Sequence, residues 1–260
     1  AAVSADSEGQ EGRYYLWRRE EVRRLLTEDE YLIVETLYGL DKPANFEGRW
    51  ILHRRDAWRA VVERLSFERA EADRLLVSAR AKLLAARGNR VPPEVDGKIL
   101  AAWNGLAIKG LARAAAVLDA PDWLAAARAA VDFVRTTLWR DGVLHASWTD
   151  GRLGQPGFLD DHANLLDGLL ALLRAGWRES DARFAVELAD ALRAHFEDRE
   201  HGGFYFTRHD GEPLIYRPKP TLDDALPAGN GVAARVLTEL GHLFGREDYL
   251  ESAHRTLAWA

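Results

Sequence analysis

Acidic residues recur where helices begin. Asp96 precedes the apolar run around Trp103, Asp160 and Asp161 precede the run around Asn164, and Asp223 and Asp224 precede the run around Asn230. If the three helices start at one mouth, these carboxylates converge on a single funnel. General acid–base chemistry at a glycosidic bond needs such an arrangement. Burial and mutual repulsion then lift one pKa into a working range. The same residues have a plain structural use, because Asp is a preferred N-cap and its charge complements the helix dipole. One Asp suffices as a cap, so each doubled position leaves a carboxylate over. Asp161 is assigned the chemical role and Asp160 the cap. Asp96, Asp161 and Asp223 form the candidate catalytic set, in acid, base or electrostatic roles.

Lys98, Trp103, Asn104, Asp160, His162, Asp224 and Asn230 surround these acids in sequence and make up the candidate substrate-binding set. A Lys in the first turn of a helix opposes the dipole, so Lys98 reads as a partner of Asp96 or a group that orients a substrate hydroxyl. Trp17, Trp50, Trp103 and Trp148 have apolar faces on which a sugar ring can stack. Nine Trp in one chain are mainly core, and the spacing of Trp103 with Leu106 and Gly110 predicts that it packs. Asp6, Glu8 and Glu11 read as an exposed acidic turn, with addition to the same mouth as the alternative. The histidines show no metal spacing: His195 ends a helix, and His201 and His209 flank a hairpin. His162 alone lies in a promising loop, where an epimerase would need its proton-transfer base. No phosphate-cradling Gly loop or GxSxG elbow occurs, and neither a metal nor a cofactor is expected.

Composition sets the wider limits. The chain has 260 residues, 47% of them hydrophobic and 29% charged, enough for a large core in one or two domains. There is no cysteine, which excludes disulfides and thiol chemistry within the chain. A net charge of −6, with Arg interspersed among Glu and Asp, argues against a nucleic-acid partner. No apolar run is long enough for a membrane span and no signal pattern opens the chain, so a soluble, cytoplasmic protein with no membrane partner is expected. The chain also lacks Met, and its last residues stop inside a helical pattern, which reads as a fragment of a longer polypeptide.

Apolar residues recurring at three and four predict helices at 19–26, 29–38, 56–63, 66–87, 98–119, 122–139, 158–176, 180–197, 228–244 and 248–260. Thr27 and Glu30 make a capping-box pattern, and Gly88 and Gly245 sit where left-handed terminators are expected. Asn104, Asn164 and Asn230 lie near helix starts, and each is followed 17 or 18 residues later by an Asp that opens a second helix: Asp122, Asp181 and Asp248. The unit is a helical hairpin, and between units come β-like excursions at 142–148 and 202–207. Spacings of 60 and 66 residues exceed those of common solenoids and suit hairpins arranged in a ring. Small residues such as Ala101, Gly105 and Gly110 mark the inner helix, while Trp123, Phe133 and Trp139 predict a bulky buried stripe on the outer one. The expected fold is therefore all-α, of the (α/α)6-toroid type but incomplete, with about four hairpins and short β-hairpin excursions in a single domain spanning 1–260.

Several short motifs add to this. Ala5-Asp6-Ser7-Glu8-Gly9 with Glu11-Gly12, Tyr14-Tyr15 and Trp17, Asn45-Phe46-Glu47-Gly48, Asp96-Gly97-Lys98-Ile99-Leu100 leading to Trp103-Asn104-Gly105-Leu106, Phe158-Leu159-Asp160-Asp161, Gly202-Gly203-Phe204, and Pro227 with Gly229-Asn230 occur in that order. Together they resemble the spermatogenesis-associated protein 20 family of thioredoxin-domain-containing proteins. The resemblance implies a toroid similar to N-acylglucosamine 2-epimerases and six-hairpin glycosidases, preceded in the whole protein by a thioredoxin-like domain that this chain lacks. It further implies that the toroid's first and last helices lie outside the chain. A carbohydrate ligand and the thioredoxin-like domain are the implied partners; a non-catalytic scaffold presenting clients to that domain is the alternative. His162 and Asp224 depart from the family pattern, which favours Tyr and Gly there.

Overall fold

The computed structural model describes residues 2–260. It divides into two compact units, Ala1–Asp96 and Gly97–Ala260.

The first unit carries α1 (Arg19–Leu25), α2 (Glu28–Tyr38), α3 (Trp58–Leu65) and α4 (Arg69–Gly88). Thr27 opens α2 with the expected capping box, exchanging bonds with Glu30. Val22, Ile33, Val34, Leu37, Leu40, Val61, Ala72, Leu76 and Ala79 form the core, where α2 packs on α3 and α4. Short antiparallel pairs tie the loops: β1 (Ala2–Val3) with β6 (Val95–Asp96), β2 (Asp6–Ser7) with β3 (Gln10–Glu11), and β4 (Leu16–Trp17) with β5 (Trp50–Ile51). Gly88 does not terminate α4 in the left-handed region. The helix runs through it and Asn89 caps in the right-handed one.

The second unit carries α5 (Ala101–Leu118), α6 (Pro121–Phe133), α7 (Leu159–Ala175), α8 (Glu179–Phe196), α9 (Gly229–Phe244) and α10 (Glu247–Trp259). Each predicted helix has its counterpart. The 122–139 helix is interrupted, because the backbone passes into a π turn at Val134–Leu138 before β8 (Trp139–Arg140). β8 pairs with β9 (Val143–Leu144) through Asp141 and Gly142, both at positive φ as a tight Asp-Gly hairpin requires. β10 (Ser147–Thr149) pairs with β11 (Arg152–Leu153) and also with β7 (Ile99–Leu100), so the helix predicted from residue 98 begins only at Ala101. The 202–207 excursion contributes a single bridge, Glu197 with Phe204.

α7 is the centre of this unit. Its run Leu165-Leu166-Asp167-Gly168-Leu169-Leu170 is apolar on every side, as suits a helix packed against α5, α6, α8 and α9 at once. Its closest approach is to α5, through two glycines. A Cβ on Gly105 would fall 2.5 Å from the Asn164 carbonyl, and one on Gly168 would fall 2.6 Å from the Gly105 carbonyl oxygen. The predicted small-residue packing holds for Ala101 and Gly105, which are buried, but Gly110 faces open space. The outer stripe holds for Phe133 and Trp139, which pack on the core, whereas Trp123 is 43% exposed.

Candidate functional site

The N-termini of α5, α7 and α9 are joined by the two consecutive aspartates. The first N–H groups of a helix have no partner within it. Asp161 supplies one across two helices: its Oδ1 accepts the Ala102 N–H of α5 at 3.0 Å, and its Oδ2 accepts the Phe158 N–H before α7 at 2.9 Å. Burial pushes the Asp161 carboxyl up to about 6, opposed by these two bonds and assisted by the neighbouring charge of Asp160. Asp160 turns the other way, towards α9. Its Oδ1 is buried beside Gly229 without a well-formed hydrogen bond, at a place where a Cβ on Gly229 would come within 2.3 Å. Burial raises the Asp160 pKa as well, and the nearby Gly229 N–H partly offsets the rise. The capping role assigned to Asp160 from sequence thus falls to Asp161. Asp161 carries the backbone bonds, and Asp160 keeps an unsatisfied oxygen.

The remaining candidates divide sharply. Asp223 is exposed and accepts the Ala228 N–H at 2.8 Å, which is a cap on α9, while Asp224 is exposed nearby. Asp96 lies on the β1–β6 pair of the first unit, and both it and Lys98 are exposed. Asn104 donates to the Leu100 carbonyl within its own first turn. Asn230 is wholly occupied, accepting the Phe204 N–H and donating to the Phe204 and Pro220 carbonyls, so it replaces a strand that the 202–207 segment lacks. Trp103, expected to pack, is 50% exposed one residue beyond the Asp161 contact. His162 is fully buried. Its Nδ1 bonds the Phe158 carbonyl at 2.9 Å, its ring lies against Phe196, and its Nε2 has no partner; burial pushes its pKa down to about 4.

Two polar residues of α7 outside the candidate sets read from sequence, Asn164 and Asp167, complete the picture. Asp160, Asn164 and Asp167 follow one another at four and three residues and so share one helix face. Both side-chain polar atoms of Asn164 are buried without partners. Asp167 is held at 2.6 Å by Lys109 of α5 and at 2.5 Å by Arg235 of α9. A lone acid within an apolar run was the available signal, since such a charge requires partners when buried. Among the described residues no group of three His, Cys, Asp or Glu side chains is placed to hold a metal ion, and no helix is long and apolar enough to cross a membrane.

Comparison with known proteins follows the motifs. Spermatogenesis-associated protein 20 from Rattus norvegicus and from Homo sapiens are each 30% identical to this sequence over 93% of its length. This chain is homologous to part of spermatogenesis-associated protein 20. It spans about a third of those relatives, 34% of their length. No family model matches the sequence. Among solved structures, the GH76A α-1,6-mannanase of Salegentibacter sp. HEL1_6 superposes with a TM-score of 0.51 at 15% identity, covering 93% of this chain and 70% of the mannanase. A GH76 α-mannanase of Bacteroides thetaiotaomicron gives a TM-score of 0.51 at 15% identity over 65% of this chain and 46% of its own. A further structure of the Salegentibacter enzyme is a variant inactive through replacement of two consecutive aspartates, in complex with α-1,6-mannotriose; it matches with a TM-score of 0.50 at 16% identity over 93% of this chain and 70% of that one. These likenesses establish the fold class, that of the helical toroid glycosidases.

Proposed function

We propose that the joined starts of α5, α7 and α9 form a carbohydrate site that binds and hydrolyses an α-mannoside, with Asp160 as the proton-transferring carboxyl. One observation carries this reading. Burial raises both of two consecutive acids at the start of an inner helix, but one is consumed by backbone N–H groups while the other keeps a buried oxygen without a well-formed hydrogen bond. A carboxyl in that condition holds its proton more readily and can deliver it to the leaving glycosidic oxygen as that C–O bond breaks; water then adds to the anomeric carbon and its proton returns to the Asp160 carboxylate. Asp161, fixed by two bonds and ionised above pH about 6, then supplies a negative charge that favours an oxocarbenium-like transition state. The exposed face of Trp103 offers a stacking platform beside it. The fold, and a mannanase of that fold that is inactive without two consecutive aspartates, support the choice of substrate.

Calorimetric titration with α-1,6-mannotriose, followed by an assay of released reducing ends, tests the proposal. Binding and turnover are expected, with turnover lost and binding kept in Asp160→Asn. Absence of both binding and turnover would sink it.

A second reading has its own support. Asp161, Asp223 and Asn230 all spend acceptor atoms on backbone N–H groups, as structural residues do. On that reading the toroid is a scaffold that presents a protein client to the thioredoxin-like domain of the whole protein. Failure to bind sugars, together with capture of one defined client by the full-length protein, would favour it.

A further inference from the structure

We infer that the first unit holds an anion site, built for a small phosphate monoester, between Arg18 and Arg49. The observation is one of register. In the β4–β5 pair Leu16 faces Ile51 and Trp17 faces Trp50, so Arg18 and Arg49, the residues just beyond that last pair, leave the same end of the ladder. Two like charges brought to one place repel unless an anion lies between them. Neither guanidinium has a hydrogen bond, ion pair or ring contact among the described residues, although most neighbouring arginines are committed. Both line a pocket of about 520 Å³.

The walls of that pocket are tied together by hydrogen bonds and are on balance cationic. Arg90 donates to the Tyr14 and Leu16 carbonyls at 2.8 Å, pairs with Glu21 at 2.6 Å and lies 4.1 Å over the Trp17 ring. Arg13 pairs with Glu8 at 2.9 Å. The Ser7 hydroxyl donates to the Val91 carbonyl at 2.6 Å and so pins the turn bearing Glu8 to the segment that follows α4. Four arginines therefore face two glutamates, in a chain whose net charge is −6. The two balanced cations make the frame, and the two unbalanced ones are left for a ligand. Guanidinium groups approaching from different segments suit a tetrahedral dianion, which offers oxygens in several directions. A single planar carboxylate is satisfied by one fork. The Ala5 to Gly9 motif, which the carbohydrate reading leaves unused, forms part of this pocket.

Calorimetry on the whole chain with inorganic phosphate, glucose 6-phosphate, glucose and acetate tests the inference. Saturable binding of phosphate and glucose 6-phosphate is expected, weakening as NaCl is raised. Arg18→Gln and Arg49→Gln should each weaken it about tenfold, the effect of losing one charge-assisted hydrogen bond, with melting unchanged because both side chains lack partners to lose. No saturable binding of either phosphate probe, equal binding of glucose or acetate, or affinity unmoved in both variants would overturn it. The outcome is independent of the carbohydrate reading, whose residues lie in the other unit.

Discussion

The Oδ1 of Asp161 accepts the backbone N–H of Ala102, so the first turn of α5 is capped by a residue 59 positions later in the chain. α5 has no side-chain cap of its own. Asp161→Ala strips the acceptor from Ala102 and from Phe158 together, leaving one buried and one part-buried donor. Relief of the carboxylate's own desolvation offsets part of the cost, and a loss of about 2–3 kcal/mol is expected. Asp161→Asn keeps one acceptor and should cost about half as much. Urea denaturation measures the loss, and faster amide exchange at Ala102 and Phe158 locates it. Unchanged exchange at both amides would refute the capping role.

Asp161 and His162 are neighbours with opposite linkage to pH. Burial holds the Asp161 carboxyl at about 6, above its unfolded value, so its contribution to stability is full below about pH 4 and lost as pH rises through 6. Burial holds the His162 imidazole at about 4, below its unfolded value, so its contribution is full above about pH 6.5 and lost as pH falls through 4. The two nearly offset each other across one window. His162→Phe removes one side of the balance. Relative to the parent, its stability should fall by about 2–3 kcal/mol more between about pH 4 and 6.5, given shifts of about two units. Urea midpoints across that range decide the matter, and a variant whose pH slope matches the parent's would contradict the pairing.

Two glycines of α5 should respond to alanine in opposite directions. At Gly105 the added methyl meets the Asn164 backbone, which cannot turn aside as a side chain could. Separating α5 from α7 should cost about 3 kcal/mol or more. At Gly110 the methyl meets nothing within 4 Å, and alanine's helix preference should gain about 0.5–1 kcal/mol. Thermal melting of Gly105→Ala and Gly110→Ala checks both. Similar effects at the two sites would mean that the close helix crossing is absent in solution.

Helix placement was legible because Ala, Leu and Arg periodicity is local, and so is a capping box such as Thr27 with Glu30. The misplacements share a cause, namely contacts with distant residues. α5 starts late because Ile99 and Leu100 pair with Trp148 and Ser147. The 202–207 hairpin is reduced to one bridge because Asn230, 26 residues on from Phe204, takes the hydrogen bonds a strand partner would have made. The candidate site followed the same pattern. Sequence located the acids at helix starts, but which of Asp160 and Asp161 would meet a backbone donor depended on where α5 and α9 pack. Asn104, Asn164 and Asn230 occupy matching places in the repeat, yet one bonds its own turn, one has no partner and one replaces a strand.

The buried carboxylate of Asp167 gives the last prediction, because its partners are unequal to it in burial. Its side chain is 3% exposed, whereas those of Lys109 and Arg235 are 26% and 43% exposed. Remove the acid, and both cations can turn to water. Remove both cations, and the acid stays buried without charge compensation, a situation that typically costs about 3–5 kcal/mol. Asp167→Asn should therefore cost only about 1–2 kcal/mol, the double variant Lys109→Met with Arg235→Met distinctly more, and the triple variant should regain stability over the double. A rescue of this sign separates a charge balance from simple loss of packing, since packing losses would only accumulate. Urea denaturation of the three variants measures it. If the triple variant is the least stable, Asp167 is not held by its charge.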